Sequence, residues 1–494
     1  MKALNEMLVS LQNGEIVNKE TVKVYERSLE KEGNTYILMV KVDGVKKLLA
    51  AGEGSLFDDL IGEKDDAGKI CALSHENRLV LNRYLSYTKP QAFGTKTATF
   101  GLGDRLGIAS PGHIKTIENH QAKPILAQQS IRELTLTNRT LSDLIDAATF
   151  ATIQEGYKGG YGADGDHLKE EADIQKVLEL GFSMLTLDCS DYIPTGLNEL
   201  DDDALKEKFS HLDKTVQTHY TTNYANKSFE VNGEIITFSN EDVYRYALEY
   251  HEALKYMVYI YQTYIEKLDR PFDFEISIDE TETITSPQAH FFVANELKNQ
   301  GVSVTSLAPR FCGEFQKGID YIGDLDQFEK ELSEHARIAE HFGYKLSIHS
   351  GSDKFSVFPI IAKYTKGVVH VKTAGTNWLE AIRVIADKNP DLYRRMHQFA
   401  LERFDDALAY YHITPDLDSI APLDETPDEK LAAYMDKDAS RQLFHVTYGF
   451  ILSEEKDGKL IFTDELYETL TEHEDAYESA LEQHIGKHLD LLSL

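Results

Sequence analysis

From about residue 93 onward the chain alternates between short apolar runs of strand length and longer stretches whose apolar residues recur at helical spacing. Eight runs read as strands. Thr97-Ala-Thr-Phe-Gly-Leu-Gly leads into Asp104-Arg105, Pro124-Ile-Leu-Ala-Gln-Gln-Ser into Arg132-Glu133, and Tyr161-Gly-Ala-Asp-Gly into Asp166-His167. Ser183-Met-Leu-Thr-Leu ends at Asp188, Phe272-Asp-Phe-Glu-Ile-Ser-Ile at Asp279-Glu280, and Val302-Ser-Val-Thr-Ser-Leu-Ala leads to Arg310. Tyr344-Lys-Leu-Ser-Ile ends at His349, and Gly367-Val-Val at His370 or Lys372. The segments between are helical, with Gly181, Gly301 and Gly343 as C-terminal stops. Strands alternating with helices imply a parallel sheet, and eight of them predict an α/β fold, a (β/α)8 TIM-type barrel over residues 94–380.

Three blocks fall outside this repeat. Residues 1–93 read as a small α/β unit, with a hairpin in Val22-Lys-Val-Tyr-Glu-Arg and Tyr36-Ile-Leu-Met-Val-Lys-Val, closed by Asp43-Gly44. Residues 189–271 are too long for a simple crossover and read as a helical insertion, with a long tyrosine-rich helix over 241–267. Residues 381–494 read as a helical C-terminal extension, with an acidic connector at 415–429.

Charge narrows the function classes. Over 494 residues, 51 Lys+Arg against 83 Asp+Glu leave a net charge of −32, which argues against general nucleic-acid binding. An anionic substrate would need local cations to reverse that field. No apolar run has membrane length, and the N-terminus lacks a secretory signal pattern. The cysteines, Cys71, Cys189 and Cys312, have no paired spacing. We therefore expect a protein of the reducing cytoplasm with no membrane partner; a homo-oligomer is compatible with the sequence.

In such barrels the chemistry sits at the C-terminal strand ends, contributed by several strands at once. Here nearly every strand runs into Asp, Glu, His, Arg or Lys at that end. His167, His349 and His370 are candidate ligands of a divalent metal, with Asp166, Asp279 and Glu280 nearby. Imidazole with carboxylate suits Zn, Ni, Co, Mn or Fe, and spacing does not choose among them. Asp164 and Asp166, two apart, share one strand face, and His167 faces the other. The loops His349-Ser-Gly-Ser-Asp-Lys354 and Lys372-Thr-Ala-Gly-Thr376 can present backbone N–H groups to an anion. Arg105 and Arg310 are candidate charge partners inside the mouth. Gly101-Leu-Gly-Asp lacks the third glycine of a dinucleotide fingerprint.

Several collinear stretches carry a resemblance. Gly101-Leu-Gly-Asp-Arg-Leu-Gly, Ser130-Ile-Arg-Glu-Leu-Thr-Leu-Thr, Gln154-Glu-Gly-Tyr, Gly162-Ala-Asp-Gly-Asp-His-Leu-Lys, Ile348-His-Ser-Gly-Ser-Asp-Lys-Phe-Ser and His370-Val-Lys-Thr-Ala-Gly-Thr resemble the bacterial tagaturonate/fructuronate epimerase family. The resemblance spans about residues 95–380. It implies metal-dependent interconversion of D-tagaturonate and D-fructuronate, keto-sugar acids that differ at C4. C4 is not α to the C2 ketone, so simple enolisation cannot invert it. Retro-aldol cleavage between C3 and C4 followed by re-addition can. On that reading Asp166 and Glu280 serve as acid–base groups, with Glu314 in reserve. His167, His349 and His370 hold the metal, and Arg105, Arg310, Lys354 or Lys372 meets the substrate carboxylate. A metal-dependent sugar-acid aldolase or isomerase, a Schiff-base aldolase using Lys372, and a non-catalytic sugar-acid sensor are the alternatives.

Overall fold

The computed structural model describes residues 2–64, 66–281, 283–411 and 413–494. At the N-terminus the hairpin becomes an antiparallel sheet of β1 (Val22–Glu32), β2 (Asn34–Val42), β3 (Val45–Glu53), β4 (Gly62–Lys64) and β5 (Lys69–Cys71), in the order β1-β2-β3-β5-β4. Asp43 and Gly44 both adopt positive φ, the conformation a two-residue hairpin turn requires, so the chain returns as a third long strand there. Its buried face packs Ile37, Met39 and Leu48 against Phe150 and Ile153 of the helix Leu141–Gln154.

The barrel strands are β6 (Thr99–Leu102), β7 (Lys123–Ser130), β8 (Gly162–Leu168) and β9 (Met184–Asp188). After a hairpin of β10 (Lys227–Val231) and β11 (Glu234–Phe238) come β12 (Asp273–Ile278), β13 (Ser306–Pro309), β14 (Lys345–Ile348) and β15 (Val369–Thr373). All eight barrel pairings are parallel, and β15 closes onto β6. The expected barrel is present. Gly181 and Gly343 cap their helices in the left-handed conformation, as expected of stop signals.

Within each strand the alternation has a meaning that the apolar runs alone did not carry. Phe100, Leu102, Leu185, Leu187, Phe274, Ile276, Leu346, Ile348, Val369 and Val371 belong to the apolar core shared with the surrounding helices. The residues between them are polar and meet across the barrel. Lys372 on β15 contacts Asp164 on β8 and Glu275 on β12, strands that are not its neighbours, and only the barrel interior allows that. Barrel interiors are usually packed with branched apolar side chains. This one is a column of charge.

The insertion is not purely helical. Asn232-Gly233, both at positive φ, joins β10 to β11, and Tyr224, Phe229 and Phe238 pack with Phe291 and Phe292 of the next barrel helix. Its long helix, Asn240–Ile260, ends in a π-helical turn at Tyr261–Ile265. The C-terminal helices form their own core around Trp378, Phe444 and Tyr448. The final helix reaches back to the N-terminal sheet, where Glu474 meets Lys23, Lys41 and Tyr25. Among the described residues no helix is long and apolar enough to cross a membrane.

Candidate active site

The C-terminal ends of the strands open on a cavity of about 400 Å³, walled by Asp166, His167, Asp188, Asp279, Glu280, His349 and Lys372. Lys372 is its electrostatic centre. Its ammonium lies 2.5 Å from Asp166, 2.9 Å from Asp164 and 3.0 Å from Glu275, and also donates to the Thr186 hydroxyl. Burial alone would lower the Lys372 pKa, but these carboxylates outweigh it and hold the group well above the ordinary lysine range. The amine therefore carries no lone pair at neutral pH, which disfavours the Schiff-base reading. Burial would raise Asp166, yet Lys372 and His167 keep it below the usual carboxylate range, ionised and facing the cavity. Asp164, deeper, is raised by burial despite Lys372.

His167 reaches this group through a backbone irregularity. A register shift between Gly165 and Leu168, with His167 at φ 52°, breaks the period-two pattern, so Asp166 and His167 both line the cavity. Strict alternation had placed them on opposite faces. Ser350 and Asp353, in the loop after β14, also adopt positive φ. Such conformations are costly for non-glycine residues and cluster where function holds them.

His349 is gripped at both ring nitrogens, by Glu275 at 2.8 Å and Asp279 at 3.0 Å. Burial would lower its pKa, but Asp279 and Glu275 outweigh that and favour the imidazolium. With both nitrogens engaged, the ring as it stands has no free lone pair for a metal. His370 is placed elsewhere than expected. It lies in the barrel interior, two residues below Lys372, hydrogen-bonded through Nδ1 to Thr99, and burial drops its pKa to about 3. It does not line the cavity.

The donor set that fits a cation is His167, Asp188 and Glu280, whose ligand atoms all lie within 4.8 Å of one another. His167 Nδ1 is buried without a hydrogen-bond partner, 3.8 Å from Asp188; burial would lower its pKa, but Asp166 and Asp188 raise it to about 10, so a cation would bind there in competition with a proton. A second cluster, Asp353, His484 and His488, does not fit. Asp353 already accepts from His484 (2.6 Å), Thr376 (3.1 Å) and Arg441 (2.8 Å), and its own N–H donates to His488 Nε2 (2.9 Å). This is a clasp fixing the last helix to the loop after β14.

The cations expected to meet substrate divide into different roles. Arg105 lines the cavity but pairs with Glu133 at 2.7 Å and stacks 3.7 Å from the Tyr448 ring. Lys354 is buried outside the cavity wall and donates to the carbonyls of Gln316 (2.7 Å), Ile319 (2.5 Å) and Ser352 (3.0 Å). Arg310 and Glu314 line an adjoining recess of about 240 Å³ that shares Asp279, Glu280, His349 and Ser350. Sequence reasoning named Asp188 and Arg132 at strand ends without giving them a role, and passed over Glu275, Lys317, Tyr411 and His445 as site members. Glu275 stood in plain sight two residues after Asp273 on the same strand face. Tyr411 and His445 come from the C-terminal extension, with no local signal linking them to a barrel mouth. The fit there is close: a Cβ on Gly375 would stand 1.8 Å from His445 Nε2, so only glycine lets the loop after β15 pass.

Comparison with known proteins identifies the family. Residues 25–492 match the family described as tagaturonate epimerase. The tagaturonate/fructuronate epimerase of Thermotoga maritima is 41% identical over 476 residues, covering 95% of this chain and 97% of its relative. Crystal structures of the fructuronate-tagaturonate epimerase of Cohnella laeviribosi, native and with one glycerol, each superpose with a TM-score of 0.95. They are 54% identical to this chain, and the match covers 100% of it and 99% of the other. The match over residues 25–492, with 41% identity across nearly all of both chains, places this chain in the tagaturonate epimerase family, among the isomerases.

Proposed function

We propose that the protein interconverts D-tagaturonate and D-fructuronate by inverting C4 through retro-aldol cleavage and re-addition, as a cytoplasmic, divalent-metal-dependent enzyme. The observation that carries this reading is the pairing, in one cavity, of an ionised Asp166 with the His167, Asp188 and Glu280 donor group. Asp166 takes the proton from the C4 hydroxyl. The C4 oxygen forms the aldehyde carbonyl as the C3–C4 bond breaks, and its electrons pass to C3 and are delocalised into the C2 carbonyl. The aldehyde rotates, the C3–C4 bond reforms on its other face, and the new alkoxide is protonated. The proton held by Asp166 after cleavage balances that step; His349 lines the same cavity as an imidazolium whose ring nitrogens are engaged by Glu275 and Asp279.

His167, Asp188 and Glu280 would hold the cation, so Glu280 passes in this reading from proton transfer to metal binding. A divalent cation held there would supply Lewis acidity to the keto-sugar acid. The test is NMR of D-fructuronate with purified protein, in heavy water, with and without chelator. D-tagaturonate should appear, diminish with chelator, and keep its C4 hydrogen. No conversion would refute the activity, and deuterium at C4 would refute retro-aldol chemistry in favour of deprotonation at that carbon.

A further inference from the structure

Charge bookkeeping at the mouth leaves a remainder. Of the cavity's cations, Arg105 is paired with Glu133, Lys169 with Asp191 and Asp188, and Lys372 with three carboxylates. Two others, Lys317 and Arg132, form no ion pair among the described residues. Lys317 donates only to the Ser350 hydroxyl, at 2.7 Å, leaving two of its ammonium hydrogens without a side-chain acceptor. Arg132 lies 5.0 Å from the Tyr411 ring with its guanidinium otherwise free of carboxylates.

The loop that carries Lys317 is held with unusual firmness for a loop. Lys354 grips the carbonyls of Gln316 and Ile319 on either side of it, and Arg441 donates to the carbonyl of Gly318 at 2.9 Å. The Gln316 side chain is tied to Gln442 (2.9 Å) and Thr414 (3.1 Å). The C-terminal extension thus braces one half-buried, unpaired cation over a cavity lined by more acidic than basic side chains. A structural lysine has its donors taken up, as Lys354 has by three carbonyls, whereas Lys317 has one side-chain acceptor, and burial lowers its pKa with Glu280 opposing. A preorganised cation without a carboxylate partner is what recognition of an anionic ligand group needs.

We propose that Lys317, assisted by Arg132, binds the carboxylate of the sugar-acid substrate and sets the preference for uronates over neutral ketohexoses. This rests on the proposed epimerase reading. It also explains why Lys354 matters without touching substrate: it positions Lys317.

The test compares D-fructuronate with D-tagatose and D-fructose, which keep the C4 chemistry but lack the carboxylate. In Lys317→Met the uronate KM should rise about tenfold to a hundredfold, the scale of one lost charge-assisted hydrogen bond. The kcat should change little, and kinetics on the neutral ketohexose should stay near wild type. Lys317→Arg should recover most of the uronate affinity, and Arg132→Met should show a smaller shift of the same selectivity. Equal loss on charged and neutral substrates would overturn the assignment. So would a selective loss produced by Arg310→Met with Lys317→Met unaffected. Calorimetric binding of D-fructuronate reads the contact apart from turnover. Wild-type protein that binds the uronate without epimerising it, with affinity lost in Lys317→Met, would end the epimerase reading and keep this one. Wild-type protein that neither binds nor converts it would overturn both.

Discussion

Replacing Lys372 by methionine tests the electrostatic account of the site most directly. The side chain is 5% exposed and faces three carboxylates at 2.5 to 3.0 Å, two of which, Asp164 and Glu275, are fully buried. At an effective dielectric of about 20, each such contact is on the order of 5 kcal/mol before repulsion among the carboxylates is subtracted. Breaking a single buried pair by removing one partner costs ~3–5 kcal/mol. Proton uptake sets a ceiling of similar size. Holding one carboxyl of ordinary pKa near 4 protonated at pH 7 costs about 4 kcal/mol, three units at about 1.36 each. Lys372→Met should therefore unfold some 3–5 kcal/mol more easily, read by chemical denaturation. The proton it takes up is shared among Asp164, Asp166 and Glu275, so Asp166 is no longer fully ionised at neutral pH. Turnover should drop about a hundredfold or more at pH 7 and recover as pH rises, because deprotonation restores the base. The wild-type acid limb should lie lower, where Lys372 holds Asp166 ionised. A variant of wild-type stability whose acid limb has not moved would refute this reasoning.

Three further outcomes follow from the same geometry. Borohydride added with substrate should trap no adduct on Lys372, since its amine is protonated; a labelled Lys372 peptide by mass spectrometry would overturn that. His167→Ala, Asp188→Asn and Glu280→Gln should each lower bound metal together with activity, by elemental analysis after loading, whereas Asp166→Asn should keep its metal and lose turnover by about a hundredfold or more. Burial lowers Lys354 from 10.5 to about 7, with Asp353 opposing. The unfolded chain therefore binds more protons than the native one between those values, and this residue's contribution to stability rises with pH across that window. The melting temperature of Lys354→Met should rise less steeply with pH than that of the wild type there; parallel curves would refute it.

Much of the fold was legible because strand length, helical spacing and glycine stops are local properties. The barrel strands emerged from the apolar runs, although β13 begins at Ser306, later than its run, because Val302 to Thr305 lie outside the ladder. The hairpin β10–β11 was legible too, in Asn232-Gly233 flanked by alternating residues, but the surrounding helical pattern masked it. Asp166, His167, His349, Glu280 and Lys372 follow from position at strand ends, since parallel strands must present those ends together. His370 and Lys372 could not be separated this way. They share a strand face and differ only in depth, which the pairing of His370 with Thr99 and of Lys372 with Gly101 decides.

By itself, then, the sequence determined the barrel, the end of it that carries chemistry, and the family, each readable from near neighbours along the chain. The tertiary structure alone decided how the charges are partnered. A bulge turns His167 toward Asp166, two strands, β8 and β12, bring three carboxylates onto Lys372, and Glu133 neutralises Arg105. The C-terminal helices lend Tyr411, His445 and the braces that hold Lys317. A charged side chain's role depends on what lies within a few ångströms of it, because Coulomb energy falls with distance and rises with burial. Contacts between residues separated by 28 positions, as for Arg105 and Glu133, or 206, as for Lys372 and Asp166, are set by topology, and no local pattern encodes them.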